Sequence, residues 1–393
     1  MSSVNWFDST VDRGETAPVV AVLWLCGPPG VGKTSVAWRM RSELVDRGIA
    51  AAYVDIDQLG MCYPERENDP GRHRLKARNL ASVVANHAAR GAACVVVSGV
   101  VDPSYRAVLP GVELTLCRLR ADREELVRRF VGRSGDEAAV PGVVAVADAM
   151  DAGTIADLCV DTTGLTVSEV VAAVTTATAG WHTATGPPAS VPGSAPADGS
   201  ILWVSGAPGV GTSMVGFQVY LRTLRAGHRV GYLDLRQVGF GAQNTVDHQL
   251  RAANVAAVWR AYRDLGADGL VIAGEISPEV AQLPYRRAVP AAALTVCRLH
   301  ANRADLAQRI LPRGDRSSWP QPGDPLLGQP AERLRQFADR ADAQARALER
   351  AQVGVRVDSN GRGVTDTVDA VVATGVWPLL DGARGPACRN GAG

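Results

Sequence analysis

Residues 27–34 read GPPGVGKT and residues 206–213 read GAPGVGTS, so one phosphate-binding loop is written twice in this chain. In a P-loop, glycines let consecutive backbone N–H groups curl around phosphate oxygens, while a lysine reaches the outer phosphates and a hydroxyl binds Mg²⁺. The first copy supplies Lys33 and Thr34 for these tasks. In the second copy Thr212 stands where the lysine should be, and a hydroxyl cannot replace that charge. The sequence therefore predicts two phosphate-binding loops, of which one is chemically complete.

The context of the first loop is the one that a P-loop requires. An apolar run over residues 19–26 suits a buried parallel strand, and Val36, Met40 and Leu44 follow the loop at helical spacing, with Gly48 as the helix stop. The residues predicted to hold the nucleotide lie in the loop and in the first turn of this helix, namely Gly27, Gly30, Gly32, Lys33, Thr34 and Ser35.

Composition excludes several classes of function. The net charge is +1 and the acidic and basic residues are interspersed, so neither a nucleic-acid partner nor a membrane partner is expected. The apolar runs have the length of strands, and residues 1–18 lack the basic start and apolar core of a signal peptide. The seven cysteines are dispersed, as free thiols in a reducing compartment are, and the six histidines show no metal-binding spacing. A cytoplasmic protein is predicted.

The repeat extends beyond the two loops. They are offset by 206 − 27 = 179 residues, and Asp55 in AAAYVDID recurs as Asp234 in VGYLDLR at the same offset, 234 − 55 = 179. An Arg-x-x-x-Arg pair, Arg129 with Arg133, recurs further along as Arg309 with Arg313. The predicted organisation is an N-terminal tail (1–18), a P-loop domain (19–181), a Pro/Gly/Ala/Ser linker (182–199), a degenerate P-loop domain (200–378) and a C-terminal tail (379–393).

Each copy alternates strands with helices about five times. This pattern predicts an α/β fold with two tandem P-loop domains, each a parallel sheet flanked by helices. Ligands of such sheets bind beyond the carboxyl ends of the strands, where the first P-loop, Asp55, Asp57 and Gly99 are expected to converge. The loop over residues 60–73, which is four residues longer than its counterpart, is predicted to lie on the substrate side.

With the P-loop, the Asp-x-Asp at Asp55 and Asp57, the segment SGVVDPSYRAVL and the arginine pair in this order, the first copy resembles the small P-loop kinases. Gluconate kinase and adenylylsulfate kinase are the most similar families. The resemblance implies a sheet in the order 2-3-1-4-5, ATP and Mg²⁺ as cofactors, and a lid with arginines that closes over the phosphates. It places Thr34 and Asp55 at the metal and Asp57 facing the acceptor hydroxyl.

The resemblance also implies that Arg106 holds the acceptor and that Arg129 and Arg133 belong to the lid. Lys76 and Arg78 are weaker candidates on the acceptor side. For Asp57 the alternative is a helix N-cap after the strand, and for the arginine pair it is a solvated helix face. The lid sequence RSGDEAAVPG departs from that of gluconate kinase, and no acceptor-defining motif is intact, which leaves the acceptor open.

The second copy lacks two charges that the first one has. Thr212 replaces the P-loop lysine and Arg236 replaces Asp57, as a folded but inactive pseudokinase half would show. The predicted function is therefore an ATP-dependent kinase of a small polar metabolite, with its catalytic residues Lys33, Asp57, Arg129 and Arg133 in the first half and with the two halves packing together. The alternative is an ATP-binding regulatory or scaffold protein whose nucleotide state controls a protein partner.

Overall fold

The computed structural model describes residues 20–102, 109, 111–183, 196–241, 246–278, 283–314 and 324–380. We call residues 20–183 the first half and residues 196–380 the second half. The predicted linker falls largely on residues 184–195, outside these ranges, as do the predicted N-terminal tail and most of the C-terminal one. No helix in the described ranges is both long enough and apolar enough to cross a membrane.

The strands of the first half are β1 (Val20–Cys26), β2 (Ala51–Asp55), β3 (Cys62–Tyr63), β4 (Cys94–Ser98), β5 (Val112–Arg120) and β6 (Leu158–Asp161). All of them except β3 form a parallel sheet in the order β2-β4-β1-β5-β6. The helices of the first half are α1 (Lys33–Asp46), α2 (His73–Ala89), α3 (Arg123–Ser134), α4 (Val140–Ala152) and α5 (Val167–Ala177). Every residue of β1 is buried, because this central strand has neighbours on both edges and helices on both faces.

The second half repeats this topology. Its sheet has the order β11-β10-β7-β9-β8, and β3 of the first half adds to the β8 edge. The strands are β7 (Gly199–Gly206), β8 (Val230–Asp234), β9 (Gly269–Ala273), β10 (Ala292–His300) and β11 (Val355–Asp358). The helices are α6 (Thr212–Arg225), α7 (His248–Asp264), α8 (Leu283–Ala288), α9 (Arg303–Ile310), α10 (Ala331–Arg350) and α11 (Val364–Ala373). Apart from β3, both sheets have the order 2-3-1-4-5, which confirms the predicted fold class.

The two halves cover each other's edge strands reciprocally. The backbone N–H of Tyr53 in β2 donates to the carbonyl of Phe240 at 3.1 Å, and that of Tyr232 in β8 donates to the carbonyl of Met61 at 2.8 Å. These two bonds are equivalent, because 232 − 53 and 240 − 61 both equal the 179-residue offset of the repeat. An uncovered edge strand is a template for unwanted pairing, so each half protects the other.

The helices that follow these edges also pack together. Asn86 of α2 donates to the side-chain oxygen of Asn254 in α7 at 2.9 Å, and Arg90 pairs with Asp247 at 2.8 Å. One hydrophobic cluster includes buried residues of both helices. The predicted packing of the two halves is therefore present in the structure.

The loop over residues 60–73 differs in part from its prediction as a substrate-side element. Its first residues, from Met61 to Tyr63, join the sheet of the second half through the antiparallel pairing of β3 with β8. Only its end approaches the cleft described below, where His73 begins α2. The start of this loop thus forms a contact between the halves.

His87 on α2 makes the fold sensitive to acid. Its side chain is 1% exposed, and neither ring nitrogen has a hydrogen-bond partner within the described part of the chain. Burial lowers the pKa of His87 from 6.5 to about 4. His87 is therefore protonated below pH 6.5 in the unfolded chain but only below about pH 4 in the folded chain. The free energy of unfolding decreases as the pH falls across this window.

We expect that acidification from pH 7 to pH 4 lowers the free energy of unfolding by about 3 kcal/mol through His87 alone. His87→Leu removes this contribution, because leucine does not titrate. Urea unfolding at a series of pH values measures the effect, and His228→Leu, at a more exposed position, is the control. An unchanged pH profile in His87→Leu would contradict the prediction.

Candidate functional site

The backbone of the first P-loop has the conformation that phosphate binding requires. Gly27, Gly30 and Gly32 have φ values of 150°, 89° and 99°, which only glycine adopts without strain. A Cβ on Gly27 would lie 2.5 Å from the carbonyl oxygen of Leu119. The matching glycines of the second loop, Gly206, Gly209 and Gly211, have φ values of 155°, 81° and 100°. Both halves therefore keep the loop geometry, although only one keeps the lysine.

Lys33 opens α1 and lies over its own loop. Its side chain is buried, and its Nζ donates to the carbonyl of Pro28 at 2.8 Å. Burial lowers the pKa of Lys33 to about 8, while the charges of Asp57 and Asp55 act in the opposite direction. The positive charge of Arg133 lowers this pKa as well. Lys33 is thus a buried cationic group at the phosphate-binding loop.

Asp55 ends β2, and its carboxylate faces the carboxyl end of the sheet. Its Oδ1 accepts a hydrogen bond from the backbone N–H of Asp57 at 3.0 Å and so caps the 3₁₀ turn Ile56–Gly60. The cap that the sequence allowed for Asp57 is therefore made by Asp55. Burial, followed by the neighbouring charge of Asp57, raises the pKa of Asp55 to about 7. A buried carboxylate beside a second one is stabilised by a cation.

Asp57 follows Asp55 by two residues in the chain and is paired with Lys76 of α2. The Lys76 Nζ is 2.7 Å from Asp57 Oδ1, and the lysine side chain is 7% exposed whereas that of Asp57 is 46% exposed. A Cβ on Gly99, directly after β4, would lie 2.3 Å from Ile56 Cγ2, so the glycine permits the turn that carries Asp57 to pack against this strand end. The partly exposed carboxylate is thus held by an ammonium group that has little contact with solvent.

A small cleft opens next to this ion pair. Its apolar lining consists of Trp24, Val100, Val101, Leu114 and Leu116. His73, Lys76 and Asp102 are its polar residues. Lys76 both lines the cleft and pairs with Asp57, which brings the Asp57 carboxylate close to the cleft.

The two predicted lid arginines occupy different environments. The Arg129 guanidinium donates to the hydroxyl of Thr162 at 2.9 Å and to its carbonyl at 2.8 Å, and it pairs with Glu125 at 2.7 Å. Arg129 therefore fixes the loop after β6 in this conformation, and its predicted role over the phosphates stays a prediction. Arg133 lies one turn further along α3, and its positive charge lowers the pKa of Lys33.

The predicted acceptor-side residues that the structure describes lie in different places. Arg106 lies outside the described residues. Arg78 is exposed and pairs with Asp264 of the second half, away from the cleft. Lys76 is the weaker candidate that the structure brings to Asp57. The sequence contained one signal for it, because Lys76 and Lys33 are the two lysines of the chain.

In the second half, the side chain of Arg236 occupies the position that corresponds to the predicted metal site of the first half. The Arg236 guanidinium lies 2.8 Å from Ser213 Oγ and 3.3 Å from Asp234 Oδ2, and Ser213 Oγ donates to the same Asp234 oxygen at 2.6 Å. By the 179-residue offset, Ser213 and Asp234 match Thr34 and Asp55 of the first half. An internal cation therefore lies between the two residues whose counterparts are the predicted metal ligands.

This arrangement tests whether the first half suits Mg²⁺. The donor set of Thr34 and Asp55 is a hydroxyl and a carboxylate, the hard oxygen ligands that Mg²⁺ prefers, and phosphates and water complete such a site. In the second half the same pair of positions holds a positive charge. The residues of the first half therefore fit a magnesium ion.

Residues 23–144 match the family model described as an AAA domain. The match contains the first P-loop, Asp55, Asp57, Lys76 and both lid arginines. No curated protein matches the chain. The first half is a P-loop domain, and this fold binds nucleotides through the loop described above.

Several solved structures are similar to about two fifths of the chain. A tunicamycin resistance protein from Deinococcus radiodurans is 20% identical, with 41% of this chain and 96% of that one covered and a TM-score of 0.32. A gluconokinase from Sinorhizobium meliloti 1021 is 16% identical, with 40% and 90% covered and a TM-score of 0.29. A sugar kinase from Janibacter sp. HTCC2649 is 15% identical, with 44% and 99% covered and a TM-score of 0.31.

The ion pair between Arg236 and Asp234 predicts a loss of stability when the arginine is replaced. The side chain of Asp234 is 3% exposed and pairs with Arg236, so Arg236→Gln leaves a buried carboxylate without its cation. We expect a loss of about 3 kcal/mol in the free energy of unfolding. Chemical denaturation measures this loss.

The matched control is Arg303→Gln, because Arg303 and its partner Asp339 are 70% and 54% exposed. That variant should unfold almost as the wild type does, since exposed ion pairs contribute little. Equal stability of Arg236→Gln and Arg303→Gln would show that the guanidinium is not needed to neutralise Asp234.

Proposed function

We propose that the first half is an ATP-dependent phosphotransferase that acts on a small-molecule acceptor, and that the second half is catalytically inactive. The observation that supports this function most directly is the carboxylate of Asp57, held at 2.7 Å by Lys76, which also lines the cleft. A protein that only switches with bound nucleotide needs Lys33 and Thr34 but has no use for a carboxylate placed beside a cleft.

In this proposal Gly27, Gly30 and Gly32 present their backbone to the phosphates, and Lys33 neutralises the charge on the outer phosphate. Thr34 and Asp55 would hold Mg²⁺, which supplies further positive charge to the phosphate oxygens. Phosphoryl transfer depends chiefly on positioning and on cations near the moving charge. Arg133, whose charge lowers the pKa of Lys33, is the lid arginine that we expect to add a third cation.

Asp57 acts on the acceptor. The acceptor oxygen attacks the γ-phosphorus and forms the new P–O bond, while the bond from that phosphorus to the β–γ bridging oxygen breaks and ADP leaves. The acceptor hydroxyl proton goes to the Asp57 carboxylate, which also orients the hydroxyl. Lys76 is a positioning residue, because its ammonium group donates to the Asp57 carboxylate at 2.7 Å and so fixes its orientation.

The inactive role of the second half follows from the same chemistry. Thr212 supplies no charge to a phosphate, and the guanidinium of Arg236 lies where a metal would have to bind. Arg313, the counterpart of Arg133, is paired with the buried carboxylate of Asp324. The second half then stabilises the first through the shared edge strands rather than through chemistry of its own.

Lys33→Ala should lower the rate of ADP formation about 100- to 1000-fold, because the phosphate charge loses a preorganised cation. ADP release is measured by a coupled assay with Mg-ATP and a pool of small hydroxyl compounds. The matched control is Thr212→Ala at the equivalent position of the second loop, which should keep the wild-type rate. Full turnover in Lys33→Ala would refute the assignment.

Asp57→Asn should leave ATP affinity nearly unchanged while acceptor-dependent ADP release falls about 100-fold, because the substitution keeps the shape and removes the proton acceptor. ATP affinity is measured by calorimetry and ADP release with the acceptor found in the pool. Asp264→Asn, in the exposed pair with Arg78, is the control.

If no small molecule stimulates ADP release from the wild type, the kinase proposal fails. The protein would then be an ATP-binding regulatory protein whose nucleotide state controls a partner. In that case Asp57→Asn alters neither nucleotide binding nor hydrolysis.

A further inference from the structure

Two residues of the second half, Phe240 and Gly241, contact the first half where helix α1 packs on strand β2. The backbone carbonyl of Phe240 accepts a hydrogen bond from the N–H of Tyr53 in β2 at 3.1 Å. The carbonyl of Gly241 accepts one from Nη2 of Arg41 in α1 at 2.7 Å. One short segment of the second half is therefore hydrogen-bonded to both elements.

The side chains at this point also join α1 to β2. Arg41 is 5% exposed, and its Nε donates to the carbonyl of Ala51 in β2 at 3.2 Å. The ring of Phe240 lies against Trp38 of α1 and Tyr53 of β2, with centroid distances of 4.8 and 5.7 Å. The rings of Trp38 and Tyr53 are themselves 5.4 Å apart. Rings at such distances gain stabilisation beyond the area that they bury, so Phe240 stabilises the packing of both elements.

The two elements that meet here carry the proposed metal ligands. Thr34 lies in the first turn of α1, and Asp55 is the last residue of β2. Magnesium requires near-octahedral oxygen ligands at about 2.0–2.1 Å, so its affinity depends on the separation of the Thr34 and Asp55 side chains. That separation is set by the packing of α1 on β2.

The first half makes the equivalent contact on the second half. Met61 is the counterpart of Phe240 by the 179-residue offset, and its carbonyl accepts from the N–H of Tyr232 at 2.8 Å. The Met61 side chain packs against the hydrophobic cluster of the second half. There Ser213 Oγ donates directly to the Asp234 carboxylate at 2.6 Å. The two contacts are thus alike in structure, but only that of Phe240 lies beside a proposed metal site.

We propose that Phe240 and Gly241 are positioning residues for the Mg-ATP site of the first half. They fix α1 against β2 and so hold Thr34 at the distance from Asp55 that a magnesium ion needs. The second half thereby contributes to nucleotide binding across the contact between the halves. This assignment rests on the proposed function, because it takes Thr34 and Asp55 as the metal ligands.

The test measures the affinity of the full chain for a non-hydrolysable ATP analogue by calorimetry, once with Mg²⁺ and once with EDTA. Without the metal, the analogue contacts the P-loop and Lys33 at the start of α1, and Asp55 of β2 has no part in its binding. Phe240→Ala should reduce the gain in affinity that Mg²⁺ gives about tenfold, as loss of a group that supports a metal ligand does. The affinity in EDTA should stay close to that of the wild type.

Met61→Ala is the matched control, because it removes an apolar side chain from the equivalent contact on the second half. It should leave the Mg²⁺-dependent gain at the wild-type value. Urea unfolding shows whether each variant is folded. Should Phe240→Ala fail to fold, Arg41→Lys takes its place. Lysine keeps the charge but lacks the planar guanidinium that donates to Ala51 and Gly241, so the same loss must appear.

An unchanged Mg²⁺-dependent gain in Phe240→Ala overturns the inference, as does an equal loss in Met61→Ala. A wild type that binds the analogue equally well with Mg²⁺ and with EDTA overturns it too.

The phosphotransferase proposal is tested separately by ADP release. Mg-ATP binding that depends on Phe240, without phosphorylation of any acceptor, would keep the positioning role and reject the phosphotransferase. Acceptor-stimulated ADP release together with Mg-ATP binding that is independent of Phe240 would keep the phosphotransferase and reject the positioning role.

Discussion

In each half a carboxylate ends the second strand at the site edge of the sheet, and each carboxylate requires a nearby cation. Asp55 in the first half has Lys33 and Lys76 within electrostatic reach, and burial raises its pKa to about 7. Asp234 in the second half is 3% exposed and pairs directly with Arg236. In the second half a side chain of the protein itself supplies this cation, whereas a metal ion is proposed to supply it in the first half. This difference distinguishes the sites of the two halves.

The reciprocal contact between the halves bears on the same site. Phe240 covers the edge of β2, the strand that leads to Asp55, and packs between Tyr53 and Trp38 with centroid distances of 5.7 and 4.8 Å. The hydroxyl of Tyr53 is in turn 2.8 Å from Ser98 at the end of β4. Residues of the second half thereby support the strand that positions the first half's carboxylates. Removal of the second half would expose this edge strand to unwanted pairing.

The sequence alone determined the repeating units and the chemistry at their centre. The positions of the two loops predicted where the first strand of each half ends. Asp55 and Asp234 are separated by the same 179 residues as the two loops, which identified them as equivalent residues. The strand order was implied by the resemblance to the small P-loop kinases. The convergence of the P-loop with Asp55 and Asp57 was expected because parallel sheets bring these strand ends to one edge. Local patterns carry this information, since glycine conformations, apolar runs and strand ends depend on residues close in the chain.

Only the tertiary structure decided which groups meet across long separations. The pairing of Asp57 with Lys76, the anchoring of Arg129 on Thr162 and the bridging of Ser213 and Asp234 by Arg236 all depend on how helices and loops pack. The sequence placed residues 60–73 on the substrate side, yet β3 extends the other half's sheet. Long side chains have many rotamers, and their partners are chosen by the packing of distant elements. Residue type and spacing therefore identify candidates, whereas the fold assigns their contacts.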